Sequence, residues 1–407
     1  VTRHRIIPVA PAPAVAAPLP ERAQLTASPP LALYVHYPWC VKKCPYCDFN
    51  SHASRGGTGE IPEQAYIDAL LGDIETALPQ VWGRRVLSVF IGGGTPSLMS
   101  AAALDRLLTG VRMLLQLDPL AEVTLEANPG TVEAGRFRDY RAAGVNRLSL
   151  GIQSFDDAQL VRLGRIHDGR EARVAIDTAL ANFERVNLDL MYALPQQTLE
   201  QALADLDIAL ATGATHLSCY QLTLEPNTPF HHAPPPLPDT DAAADMQDAI
   251  EARLAGAGFR HYETSAFARP GEECRHNLNY WTFGDYLGVG AGAHGKLSSF
   301  EGIVREMRHK HPGRYLDAAK SREFVQERRS IGVTELPFEF MMNALRLTGG
   351  VPPRLFAERT GLPLAVIEDE LKTARAQGLI EVTPDVLRPT ERGRHFLNDL
   401  LTLFLRD

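Results

Sequence analysis

The stretch Leu31-Ala-Leu-Tyr34-Val-His36-Tyr37-Pro38-Trp39-Cys40-Val-Lys-Lys-Cys44-Pro-Tyr46-Cys47 places three cysteines, spaced four and then three residues apart, directly after an apolar run stopped by Pro38. The run reads as a β-strand, so all three thiols share one loop at a strand end. A structural zinc ion takes four nitrogen or sulfur donors, commonly as two close pairs. The other two cysteines, Cys219 and Cys274, are isolated and far downstream. Three clustered thiols cannot all pair, and five cysteines in 407 residues do not make a disulfide scaffold. A four-iron, four-sulfur cluster on three thiolates leaves one iron without a protein ligand, free to take amine and carboxylate groups of a small molecule. The spacing points to such an open-iron cluster, with three core or zinc cysteines as the competing reading.

These residues also carry a family likeness. CxxxCxxC on the loop after a first strand resembles the signature of the radical S-adenosylmethionine (SAM) superfamily. Residues 34–40 together with Cys47-Asp48-Phe49-Asn50-Ser51-His52 resemble, more narrowly, the branch that holds oxygen-independent coproporphyrinogen III oxidase and its heme-chaperone relative, HemW. The resemblance implies a [4Fe-4S] cluster on Cys40, Cys44 and Cys47 that binds SAM and delivers an electron to it, and so an electron donor as a partner. Oxidases of this kind carry a fourth cysteine two residues beyond the third, where this chain has Phe49. The departure favours a heme chaperone, with recipient hemoproteins as partners, over the porphyrinogen decarboxylase. A non-catalytic iron–sulfur scaffold is a third reading, disfavoured because a purely structural cluster needs no open iron.

Outside the loop, composition sets broad bounds. The length suggests two or three domains, and 45% hydrophobic with 22% charged residues is ordinary for a soluble globular protein. A net charge of -8 offers no basic surplus for nucleic acid. No apolar stretch is long enough to span a membrane. Free clustered cysteines, with no signal peptide in view, predict a cytoplasmic protein. A homodimer and a peripheral membrane contact are left open. Residues 1–30, dense in Pro and Ala, predict a disordered arm.

From residue 31, short β-branched runs alternate with segments of helical period. Strands are expected at 31–36, 86–91, 121–126, 146–151, 186–191 and 215–221, and helices near 63–78, 101–116, 131–143, 169–182 and 198–212. Such βα repeats build a parallel sheet, either a partial barrel or a doubly wound sheet by spacing alone. The resemblance selects an incomplete (β/α)6 barrel over residues 31–295, with 226–295 as a connecting segment. Helical periods and a turn at Thr383-Pro384-Asp385 then predict a mostly helical, winged-helix-like domain over 296–407. Its last part, 330–407, carries nine Lys and Arg against eleven Asp and Glu, which argues against DNA and for packing on the barrel or shaping a large substrate site.

Ligands of parallel sheets bind at the C-terminal strand ends. The expected strands end here in Gly92-Gly93-Gly94-Thr95, in Glu126, in Gln153 and in Asp189. Converging acceptors suit a ligand with ribose hydroxyls and an ammonium group. By resemblance, Tyr34, Tyr46, Gly93, Gly94, Thr95 and Arg165 join the SAM set, Arg165 as partner of a carboxylate, with a surface ion pair as its alternative. His276, Tyr280 and Trp281 match the HNxxYW motif of the HemW branch and are the heme candidates, with a structural role for His276 as the alternative. His231, His232 and His294 are weaker ones.

Overall fold

The computed structural model describes residues 19–20, 22–54, 61–131 and 134–406. Six parallel strands lie side by side in chain order: β1 (Leu31–Tyr37), β2 (Arg85–Gly93), β3 (Gln116–Ala127), β4 (Arg147–Gln153), β5 (Arg185–Tyr192) and β6 (His216–Gln221). Each expected strand and helix is present. Helices Glu63–Val81, Ala101–Leu114, Ala134–Ala143, Gly169–Asn182 and Leu199–Ala211 make the crossovers. Their starts are written locally. Asp168 with Glu171, and Thr198 with Gln201, form reciprocal capping boxes that satisfy the first free amides of their helices. β1 is apolar on both faces because helices cover one side and the barrel interior the other, which is why its sequence runs nearly without alternation.

The sheet extends further than the repeats predict. β7 (Arg260–Glu263) and β8 (Ala266–Ala268) add antiparallel strands beyond β6. On the other side β9 (Asp285–Val289) pairs parallel with β1, followed by β10 (His294–Ser299), β11 (Gly302–Arg308) and β12 (Val325–Ser330). The order is β12-β11-β10-β9-β1-β2-β3-β4-β5-β6-β8-β7, an open sheet with β12 and β7 as its edges. The expected boundary at residue 296 is therefore displaced, since 296–330 belong to the sheet. These strands escaped the sequence reading because β12 is charged and exposed along its whole length, so no apolar alternation marks it.

Buried ion pairs tie the extension to the barrel. Asp285 meets Arg84 at 2.9 Å and Lys296 at 2.9 Å, and Arg308 joins Asp73 of the first helix at 3.0 Å to Glu306 at 2.7 Å. Removing one partner of such a pair strands the other charge without water, at a cost of about 3–5 kcal/mol.

The C-terminal module begins at Leu336–Ala344 and carries the hairpin Ile380–Val382/Leu387–Pro389, with its own apolar core around Phe340, Phe356 and Phe404. It docks on the β7 side, where Thr348 N donates to Tyr262 O at 3.2 Å and Arg346 lies over the Trp281 ring. Most of the expected N-terminal arm lies outside the described residues. Where it is described it is packed rather than free: Leu25 is buried in the C-terminal core, and Gln24 N donates to Gly361 O at 3.2 Å.

Candidate functional site

The C-terminal ends of β2 to β6 and the cysteine loop enclose one cavity of about 360 Å³. Its wall includes Cys40, Cys44, Cys47, Tyr46, Gly93, Gly94, Thr95, Glu126, Gln153, Arg165 and Asp189, so the sequence-derived cofactor set converges except for Tyr34. Tyr34 stands behind the wall. Its hydroxyl pairs with His36 Nδ1 at 2.9 Å, while His36 Nε2 faces the Asn50 carbonyl at 2.9 Å. A carbonyl only accepts, so Nε2 carries the proton and Nδ1 accepts from Tyr34. Burial above all holds His36 neutral, down to about 4.

The cysteine loop is anchored independently of its sulfurs. His52 N donates to Pro38 O at 2.7 Å and Ser54 N to Cys40 O at 2.9 Å. Asn50 Nδ2 donates to Ala291 O at 2.9 Å and Lys310 O at 2.8 Å, which fixes the loop to the β9–β11 extension. His36 and Asn50 are the positioning residues that sequence reasoning missed, although Asn50 lies inside the stretch that carried the likeness. All five cysteines are free thiols. Thr95 Oγ1 donates to Cys40 Sγ at 3.4 Å, Arg165 Nη1 to Cys44 Sγ at 3.6 Å, and Cys47 Sγ lies 3.8 Å from Ser51 Oγ. Donors aimed at sulfur favour the thiolate, against burial that raises the Cys40 and Cys47 thiols. Among the described residues no three His, Cys, Asp or Glu side chains converge as they would on a single metal ion.

The glycines are required by close approach. A side chain at Gly94 would begin 2.6 Å from Trp39 O, and one at Gly93, whose φ is +112°, 2.5 Å from the His36 ring. Gly93 N instead donates to Glu126 Oε2 at 3.0 Å. Burial first, then the neighbouring Asp189 charge, pushes the Glu126 carboxyl up to about 7. Asp189 is also raised by burial, and is held by Ser149 Oγ at 2.9 Å and Asn187 Nδ2 at 2.8 Å. Two buried carboxylates facing one cavity are suited to a cationic ligand. Arg165 is no surface ion pair: its recorded partners are Cys44, the Gly151 carbonyl at 2.7 Å and Tyr46, while its Nε is buried without a partner. Gln153 sits at φ +69°, a left-handed conformation uncommon outside glycine, at a register shift between β4 and β5. Open-iron cluster and SAM both fit this donor set: thiols on one side, carboxylates for an ammonium or sulfonium, and a guanidinium for a carboxylate.

The heme candidates do not reach the cavity. His276 is only 6% exposed, on the helix Arg275–Trp281, with Nδ1 3.1 Å from Ser88 Oγ and its ring against Phe90. Burial, helped by Arg147, holds it neutral down to about 3. Tyr280 stacks on Tyr286 and donates to its hydroxyl at 2.7 Å, and Trp281 lies under Arg346. The aromatic and imidazole groups that suggested heme are taken up by interior and interdomain packing. Of the weaker candidates, His231 and His232 lie on the turn Pro229–His232 of the Pro-rich loop, where Phe230 N donates to Pro45 O at 3.1 Å and its ring meets Tyr46. This loop borders the cysteine loop, and both histidines are exposed. His294 is exposed at the start of β10. The C-terminal module gives the cavity no residue.

Comparison with known proteins gives the family and the fold. Residues 34–209 match the Radical SAM superfamily and residues 333–396 the HemN C-terminal domain, which defines a radical SAM protein of HemN-like build. The solved coproporphyrinogen III oxidase (HemN) from Escherichia coli shares the fold, with a TM-score of 0.78 at 23% identity, over 93% of this chain and 90% of that one. Heme chaperone HemW of Escherichia coli K12 is 50% identical, over 93% of this chain and 99% of the relative. Its Bacillus subtilis counterpart is 32% identical over 91% and 98%. The chain belongs to the heme chaperone HemW family. A mouse relative, radical S-adenosyl methionine domain-containing protein 1, mitochondrial, is 44% identical over 69% of this chain and 63% of its own length. No helix among the described residues is long and apolar enough to cross a membrane.

Proposed function

We propose that this protein is a heme chaperone, which binds heme and passes it to hemoproteins, and that it carries a [4Fe-4S] cluster on Cys40, Cys44 and Cys47 with SAM held beside it. The observation that carries the reading is near-half identity to a heme chaperone along almost the whole of both chains. Phe49 supports it. It stands where the oxidase branch places a fourth cysteine, is 59% exposed, and lines the cavity with a ring that cannot ligate iron. The likeness to the solved oxidase is one of fold.

Within the cavity the residues divide the work. The three thiolates hold iron, and Glu126 and Asp189 take the positive end of SAM. Arg165 takes its carboxylate, and Gly93 and Gly94 let the backbone approach. SAM, when bound, supplies one-electron cleavage chemistry to the site. The cysteine loop with Leu222, Thr223 and Glu225 forms one side of the cavity wall and His276 forms no part of it, so heme is expected to approach at the loop rather than at His276.

The test offers the anaerobically reconstituted protein coproporphyrinogen III with SAM and a reductant in one reaction, and heme in another. Heme binding at one equivalent per chain with no protoporphyrinogen formed is the expected pair of results. Decarboxylation at an enzymatic rate would make the protein an oxidase despite Phe49.

A further inference from the structure

The chain has only six lysines among its 41 basic residues. Three of them are neutralised: Lys296 is buried against Asp285, Lys320 pairs with Asp317 and Lys372 with Asp369. The other three, Lys42, Lys43 and Lys310, are exposed and appear in no ion pair among the described residues. All three border the cysteine loop. Lys42 lines the cavity rim, and Lys43 Nζ donates to Phe49 O at 2.9 Å. Lys310 is held to the same loop by its carbonyl, which accepts from Asn50 Nδ2. His52 and His311 join the two sides, their ring centres 5.6 Å apart. On the same loop Phe49 and Val41 are both exposed, and Asp48 is the single carboxylate between Cys40 and Ser51.

A protein of net charge -8 thus keeps its unpaired lysines at one place, around an exposed aromatic on the cysteine loop. Lysine is a flexible, hydrated point charge, suited to steering an encounter rather than to locking a bidentate pair. Small, electrostatically guided, short-lived contacts are the mode of electron-transfer partners. We propose that this rim is the docking surface for an acidic one-electron carrier protein that reduces the cluster. It rests on the cluster reading above. The carrier loses one electron, the oxidised cluster gains it, and no bond or proton need change hands.

The probe is a reduced, acidic plant-type [2Fe–2S] ferredoxin, mixed in stopped flow with the reconstituted protein while the cluster absorbance is followed, with its affinity measured separately by anisotropy. Lys42→Glu/Lys43→Glu/Lys310→Glu is expected to lower the second-order rate about tenfold or more at low salt, to weaken carrier binding, and to flatten the dependence of both on ionic strength. Reduction by excess dithionite at high salt stays unchanged, and arginine at the three positions restores the rate. Lys320→Glu/Lys372→Glu, moved toward acidity outside the rim, reacts nearly as the unaltered protein. Reduction of the triple variant by the carrier at the unaltered rate overturns the proposal. So does a variant that loses heme uptake while keeping carrier reduction, since the lysines would then be reading heme carboxylates. A reconstituted protein without cluster absorbance removes the cluster reading itself, and the docking surface with it.

Discussion

Replacing Cys40, Cys44 and Cys47 together by alanine is expected to take the iron content of the reconstituted protein from about four atoms per chain to near zero and to abolish its brown absorbance. The effect should be confined to the cluster. The loop is held by the His52–Pro38 and Ser54–Cys40 backbone bonds and by the Asn50 side chain, none of which involves sulfur. The variant should therefore keep its circular dichroism and melt within a few degrees of the unaltered apoprotein. Retention of a full four-iron complement would place the ligands elsewhere, and Cys219 and Cys274, both buried, are poorly placed for it.

The second large effect is expected at Glu126. Its carboxyl, held near 7 in the folded protein against an unfolded value near 4.5, keeps a proton that the unfolded chain has lost between those two pH values. Stability of the unliganded protein therefore falls as pH rises from about 4.5 through 7, by up to about 3 kcal/mol at 1.36 kcal/mol per unit. Glu126→Gln removes that fall and stabilises the apoprotein above neutrality. The same change removes half of the paired negative charge facing the cavity, so SAM affinity should drop about 10- to 100-fold, in line with loss of a charge-assisted hydrogen bond. Affinity of the unaltered protein should rise with pH through 7 as Glu126 ionises. Calorimetric titration at pH 6 and pH 8 with both proteins reads all of this. A variant that is more stable at high pH yet binds SAM normally would separate Glu126 from the cofactor.

The opposed effects on stability and affinity at Glu126 follow from one arrangement. The fold brings carboxylates from separate strands to one mouth at a cost in stability that a bound cation offsets. Glu126, Gln153 and Asp189 were legible in the sequence because each ends a strand whose apolar run is plain, and a parallel sheet aims such ends at one place. Gly93 and Gly94 were legible for the same reason. Tyr34 was carried over by resemblance alone, and the structure sets it behind the cavity wall with its hydroxyl on His36 Nδ1. His276 carried two readings because an imidazole flanked by aromatics has the same sequence appearance whether it meets a cofactor or packs in the interior, and the structure sets it among Phe90, Ser88 and Tyr34. Strands β10 to β12 were hidden for a different reason. β10 and β11 bury charged residues such as Lys296 and Arg308, and β12 is exposed throughout, so these three carry no plain apolar alternation.

The central claim is that heme is handed on rather than merely held. The direct measurement loads the reconstituted protein with one equivalent of heme and mixes it with increasing concentrations of apo-hemoproteins from the same cell, following the Soret shift and the recovery of acceptor activity. A chaperone gives a transfer rate that climbs with acceptor concentration and exceeds the rate of heme loss to a passive scavenger. A rate equal to spontaneous dissociation and indifferent to the acceptor would contradict the account.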